Sequence, residues 1–149
     1  MSRRLPAFVV SVALSFSGLV ALASPAHAAS ALQFGRIYFD SPGTDTRTNT
    51  SLNAEWAIVK NVSTVTRCLT GWTVKDAAGH TYKFGSLCLG AGKYVYLHTG
   101  RGTNSATHRY WNSGNYIWNN TGDTAYVRNA SGTLIDSCSW GSRGSYTYC

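Results

Sequence analysis

Leu69-Thr70-Gly71-Trp72-Thr73-Val74-Lys75-Asp76-Ala77-Ala78-Gly79-His80-Thr81-Tyr82-Lys83-Phe84 reads as two short β-type runs around a turn. Trp72 and Val74 alternate with Thr73 and Lys75, the period of a strand with one buried face. Between the runs, residues 76–80 supply an aspartate acceptor and a glycine, the ingredients of a tight hairpin. With the turn centred on Ala78, residues whose numbers add to 156 face one another, and Cys68 and Cys88 meet that condition. The stretch thus predicts a strand pair and a Cys68–Cys88 staple, and elimination leaves Cys138 to pair with Cys149.

The same pattern continues outward. Runs rich in Val, Ile, Thr, Tyr, Phe and Trp predict strands near residues 32–40, 55–61, 69–75, 81–84, 94–98, 124–128 and 133–139. No long amphipathic helical stretch interrupts them. Val95 and Leu97 alternate with Tyr94, Tyr96 and His98, and Ala125 and Val127 with Tyr126 and Arg128. Trp72, Val74, Val95, Leu97 and Val127 are therefore assigned to the core. Asn129-Ala130-Ser131-Gly132 marks a second hairpin, whereas residues 41–53 and 100–122 read as long loops, where function tends to gather.

The first thirty residues are of a different kind. Arg3 and Arg4 precede an uncharged apolar run, followed by Pro25 and Ala26-His27-Ala28, so residues 1–28 are expected to be a cleaved signal peptide. Residues 29–149 then form one small exported domain, with 11 basic residues against 6 acidic, a net charge of +5. Four cysteines in an exported chain predict disulfides, each worth on the order of 3 kcal/mol in the chain-entropy model. The cysteine spacing lacks a Cys-x-x-Cys knuckle, and His80, His98 and His108 show no zinc-ligand pattern.

Read in order, several segments resemble the lamin-tail domain family. These are Ser51-Leu52-Asn53-Ala54-Glu55-Trp56-Ala57-Ile58-Val59-Lys60-Asn61, Leu69-Thr70-Gly71-Trp72-Thr73-Val74, Tyr82-Lys83-Phe84, Leu89-Gly90-Ala91-Gly92, His98-Thr99-Gly100-Arg101-Gly102-Thr103-Asn104, Trp118-Asn119-Asn120 and the hairpin over residues 124–136. The resemblance implies an all-β, immunoglobulin-like β-sandwich, here disulfide-stapled, in a small secreted bacterial-type member. It implies a docking or binding module, not a catalyst, and places Trp118 in the core. No heptad rod accompanies the segments, so nothing about filaments carries over.

Catalysis needs a nucleophile with a base, paired carboxylates or a metal centre, and the six carboxylates are scattered over separate segments. No Gly-x-Ser-x-Gly elbow is present, so the chain is read as no enzyme, with no cofactor. Candidate ligand-binding residues are Tyr94, Tyr96, Arg101, His108, Arg109, Tyr110, Trp111 and Tyr116, because aromatics beside arginines suit sugars, single-stranded nucleic acid or protein. Trp111 could instead fold inward. Asp40, Asp45 and Glu55 form a weak calcium candidate without EF-hand spacing. The expected protein is a secreted monomer that binds a protein, glycan or polyanion, with carbohydrate or cell-wall binding and extracellular nucleic-acid binding as alternatives, and no membrane span after cleavage.

Overall fold

The computed structural model describes residues 30–149, so the expected signal peptide over 1–28 lies outside the described residues. The elements follow in the order β1 (Leu32–Tyr38), α1 (Asn49–Asn53), β2 (Trp56–Asn61), β3 (Arg67–Cys68), β4 (Thr73–Lys75), β5 (Thr81–Lys83), β6 (Cys88–Leu89), β7 (Tyr94–His98), β8 (His108–Tyr110), β9 (Gly122–Arg128), β10 (Leu134–Gly141) and β11 (Tyr146–Tyr148). Among the described residues, no helix is long and apolar enough to cross a membrane.

Two sheets make the sandwich, one ordered β11-β1-β2-β7-β8 and the other β10-β9-β4-β5, with β3 and β6 forming a separate ribbon. The fold is the immunoglobulin-like β-sandwich that the family resemblance implies, built from the strands that the alternation predicts. The five-stranded sheet sends Phe34, Ile37, Ala57, Val59, Val95 and Leu97 inward, and the other sheet answers with Val74, Ala125, Val127 and Cys138. Trp118 is 2% exposed and closes one end of this core.

The hairpin centred on Ala78 keeps one register along its whole length: Lys75 faces Thr81, Val74 faces Tyr82 and, past a kink, Cys68 faces Cys88. Asp76 organises the turn, its Oδ1 accepting from the backbone N–H of Gly79 and of His80 at 2.7 Å each. Disulfides join Cys68 to Cys88 and Cys138 to Cys149. The kink sits at Gly71, whose φ of +81° suits glycine, and Trp72 donates back to Leu69 O. Two differences from the sequence reading follow. The strand expected over residues 69–75 shortens to Thr73–Lys75, and Trp72 packs half-buried against the core margin instead of within it.

The two long loops also hold structure. Residues 41–53 contain α1, begun by Thr48, whose side chain accepts from Ser51 N. Residues 100–122 contain β8, which pairs parallel to β7, with Tyr96 facing His108 and His98 facing Tyr110. In β1 the register shifts between Phe34 and Ile37, so both point inward while Arg36 and Tyr38 turn out. Gly35 fits at this bulge because a Cβ there would meet Ile58 Cγ2 at 3.0 Å.

Candidate binding face

The outward side of the five-stranded sheet carries aromatic rings on every strand. Alternation places Tyr94, Tyr96 and His98 outward from β7, opposite the buried Val95 and Leu97. Trp56 turns outward from β2, Tyr38 from β1, His108 and Tyr110 from β8, and Tyr146 and Tyr148 from β11. Register then sets a transverse row, in which Tyr146 faces Tyr38, Tyr38 faces Trp56, Trp56 faces His98 and His98 faces Tyr110.

Ring contacts run unbroken across all five strands. Tyr146 and Tyr38 lie 5.7 Å apart between centroids, Tyr38 and Trp56 5.6 Å, Trp56 and Tyr96 5.2 Å, and Tyr96 and His108 5.2 Å. Tyr94 joins Tyr96 at 5.6 Å, His98 joins Tyr110 at 5.1 Å and Tyr148 joins Tyr146 at 5.6 Å. The Arg36 guanidinium lies over the Tyr146 and Tyr148 rings at 5.1 and 4.7 Å and donates to the Tyr148 hydroxyl.

Among the described residues, the ring contacts of this face involve no carboxylate, and Asp40 stands at its margin, accepting from Ser145 Oγ beside Tyr146 at 3.4 Å. Asp40 accepts from Asn120 Nδ2 at 2.8 Å, Asp45 sits in an exposed loop, and Asp136 accepts from Phe34 N at 2.8 Å. Asp76 and Asp123 are buried at the far hairpin, where Asp123 accepts from Ala77, Asn119 and Thr124 N–H groups. Glu55 is fully buried and its Oε1 accepts from Thr99 Oγ1 at 2.5 Å, Ile117 N at 2.8 Å and Trp118 N at 3.3 Å. Burial pushes its carboxyl up to about 7, against the opposing pull of those donors. The calcium candidates Asp40, Asp45 and Glu55 are thus separately engaged, and the described residues contain no group of three or more acidic, histidine or cysteine side chains placed for a metal.

Two histidines on the face are linked. His98 Nδ1 lies 2.9 Å from Asn53 O, and its Nε2 lies 2.9 Å from His108 Nδ1. Burial holds the His98 imidazole below its ordinary value, with the neighbouring His108 acting in the same direction.

Of the sequence candidates, Tyr94, Tyr96, His108 and Tyr110 meet on this face. Arg109 alternates to the opposite side of β8 and donates to Ser86 O at 2.8 Å, so it clamps a loop. Arg101 stands apart, its backbone gripped by α1: Asn49 Oδ1 accepts from Arg101 N, and Asn49 and Asn53 both donate to Arg101 O. Gly100 permits that grip, since a Cβ there would lie 2.5 Å from Asn53 Oδ1. Trp111 packs edge-on against Trp118 at 5.8 Å, and the Tyr116 hydroxyl bonds to Ser51 Oγ at 2.6 Å. Arg36, Tyr38, Trp56, Tyr146 and Tyr148 escaped the sequence reading. The inward pairs Phe34 and Ile37, three apart, were the available sign of the bulge that turns Tyr38 outward.

No curated protein matches the chain. The sequence pattern of the Lamin Tail Domain matches residues 25–142, which leaves β11 with Tyr146 and Tyr148 beyond the matched stretch. With most of its length matched and the sandwich in place, the chain belongs to the lamin tail domain family.

Proposed function

We propose that this protein is an extracellular, non-catalytic binding module whose ligand lies on the outward face of the five-stranded sheet. One observation carries the reading: aromatic rings on all five strands form an unbroken, partly exposed tract. A folded domain rarely leaves so much aromatic area half-open without a partner for it. The leader-like residues 1–28 and the two disulfides support export to an oxidising compartment. The carboxylates support a non-catalytic reading, because Glu55, Asp76 and Asp123 are committed to backbone donors.

The test is retention of the purified protein on insoluble chitin, cellulose and peptidoglycan, on immobilised heparin and on single-stranded DNA. The double variant Tyr94→Ala/Tyr146→Ala removes two exposed rings at opposite ends of the tract. Retention on the surface that holds the parent should fall about tenfold or more, as loss of stacking contacts implies, with the melting temperature nearly unchanged. Equal retention of parent and variant, or retention of the parent on none of these surfaces, defeats the proposal.

A further inference from the structure

The geometry points to a sugar subsite at the β7–β8 end of the face, a cleft that takes one pyranose unit of a glycan and orients it by an acceptor nitrogen on His108. The inference rests on the outward sheet face being the binding surface and names the ligand class for it.

The cleft measures about 510 Å³ and is walled by Leu89, Lys93, Tyr94, Tyr96, Thr107 and His108. That volume is ample for one ring of a small ligand. Both rims are fixed. Cys88, stapled to Cys68, forms one, and the connection from β7 to β8 forms the other. The second rim is pinned by Tyr96 N donating to Thr107 O at 2.9 Å and by reciprocal bonds between Ser105 and His108. A site built in advance loses little entropy on binding.

The hydrogen-bond chain sets which nitrogen faces the ligand. A carbonyl oxygen can only accept, so His98 Nδ1, 2.9 Å from Asn53 O, carries the hydrogen. Neutral His98 then has a bare Nε2. His108 Nδ1, 2.9 Å away, must donate to it. That leaves His108 Nε2 as a bare acceptor on a residue that lines the cleft. Aligned bonds polarise one another, which strengthens the terminal acceptor.

A pyranose matches this set of groups. One hydroxyl donates to His108 Nε2, the Lys93 ammonium donates to another oxygen, and the Tyr94 and Tyr96 rings cover the carbon-bound hydrogens of the sugar ring. Single-stranded nucleic acid fits less well, because its phosphates need cations along the path. Here Lys60, across from Tyr94, and Lys93 gather at the β7 end, but further along the row Arg36 is engaged by Tyr148, and Arg109 is turned away to Ser86 O. From the cleft, the aromatic row continues over four strand spacings, about 19 Å, room for several further units.

The experiment is a nitrogen-15 NMR titration of the protein with β-1,4-linked oligomers of glucose and of N-acetylglucosamine, two to six units long, and with a single-stranded oligonucleotide. Expected are a shift of the His108 Nε2 signal on sugar binding and tighter binding with chain length. His108→Phe should abolish disaccharide binding and weaken the hexamer about tenfold, equivalent to about 1.4 kcal/mol. Lys93→Met, at an exposed position, probes the same cleft should the first variant fail to fold. His98 is a positioning residue: in His98→Phe the His108 ring should switch its hydrogen to Nε2, visible in the spectrum, and lose disaccharide affinity. Tyr146→Ala/Tyr148→Ala should spare the disaccharide and weaken only the hexamer. Full affinity in the His108 and Lys93 variants, with loss in the β11 variant, overturns the subsite and leaves the face. Binding of the oligonucleotide alone, or of no oligosaccharide, overturns the glycan assignment.

Discussion

The backbone N–H of Ile117 donates to Glu55 Oε1 at 2.8 Å, so a carboxyl at the entry to β2 anchors the end of the longest loop, sixty-two residues further on. Glu55 Oε2 has no partner, and the group is fully buried. Its folded value of about 7 exceeds the unfolded 4.5, so the folded state binds the extra proton between them. This contribution is fully present below pH 4.5 and lost as pH rises through 7, a span worth about 3 kcal/mol. Urea unfolding from pH 4 to 8 should show that decline, and Glu55→Gln should flatten it, because the amide keeps the acceptor oxygen without a charge. An unchanged slope in the variant would assign the pH dependence to another group.

His98 acts in the opposite direction. Its folded value lies below the ordinary 6.5, so the unfolded chain takes up the proton first as pH falls. Stability from this residue is complete above pH 6.5 and is lost as pH falls through the folded value. A proton on His98 puts an N–H on Nε2, opposed to the Nδ1–H of His108 2.9 Å away. Among the described residues, Lys93 is the charged group that lines the adjoining cleft, and Lys60 stands across from Tyr94 on β2. In the Glu55→Gln background, unfolding below pH 6 should reveal this acid limb, and His98→Phe should remove it.

Trp118 and Trp72 should part company on truncation. Trp118 is 2% exposed and touches Trp111 and Trp140, whereas Trp72 is only partly buried at a kink. Trp118→Ala should cost about 4 kcal/mol in urea unfolding by leaving a cavity, and Trp72→Ala about half of that. Equal costs would show that the kinked segment is better buried than its exposure implies.

The Cys138–Cys149 bond should govern β11 more than the fold. β11 pairs with β1 over only three residues, Arg36 to Tyr38. Cys149→Ser should lower stability by about 2–3 kcal/mol in the chain-entropy model and speed amide exchange at Tyr146–Tyr148 ahead of the core strands. Exchange there that matched the core would mean that pairing alone holds the strand.

The sandwich was legible because its signals are local and redundant. Val74, Val95, Leu97 and Val127 each sit in a strict alternation, and one hairpin register carries from Thr81 to Cys88. The binding face was legible only in its β7 and β8 part. Tyr38 lies past a bulge that reverses the alternation of β1, so its side depends on a partner strand that the sequence does not mark. Tyr146-Thr147-Tyr148 alternates clearly, yet its partner β1 lies at the other end of the domain, and nothing local in the sequence marks that pairing. The direction of Arg109 was illegible for the same reason: a short parallel strand inside a polar loop fixes which side of the chain faces inward.

β11 also does something for β1 that has nothing to do with ligand. It covers the outer main-chain groups of Arg36, Ile37 and Tyr38, which would otherwise be the open rim of the five-stranded sheet. A bare rim invites strands from other molecules to add on. With β11 in place the rim is a three-residue strand instead of the seven-residue β1, a shorter template for another chain, so opening the bond that ties Cys149 to Cys138 is expected to raise the tendency of copies to add on at this edge.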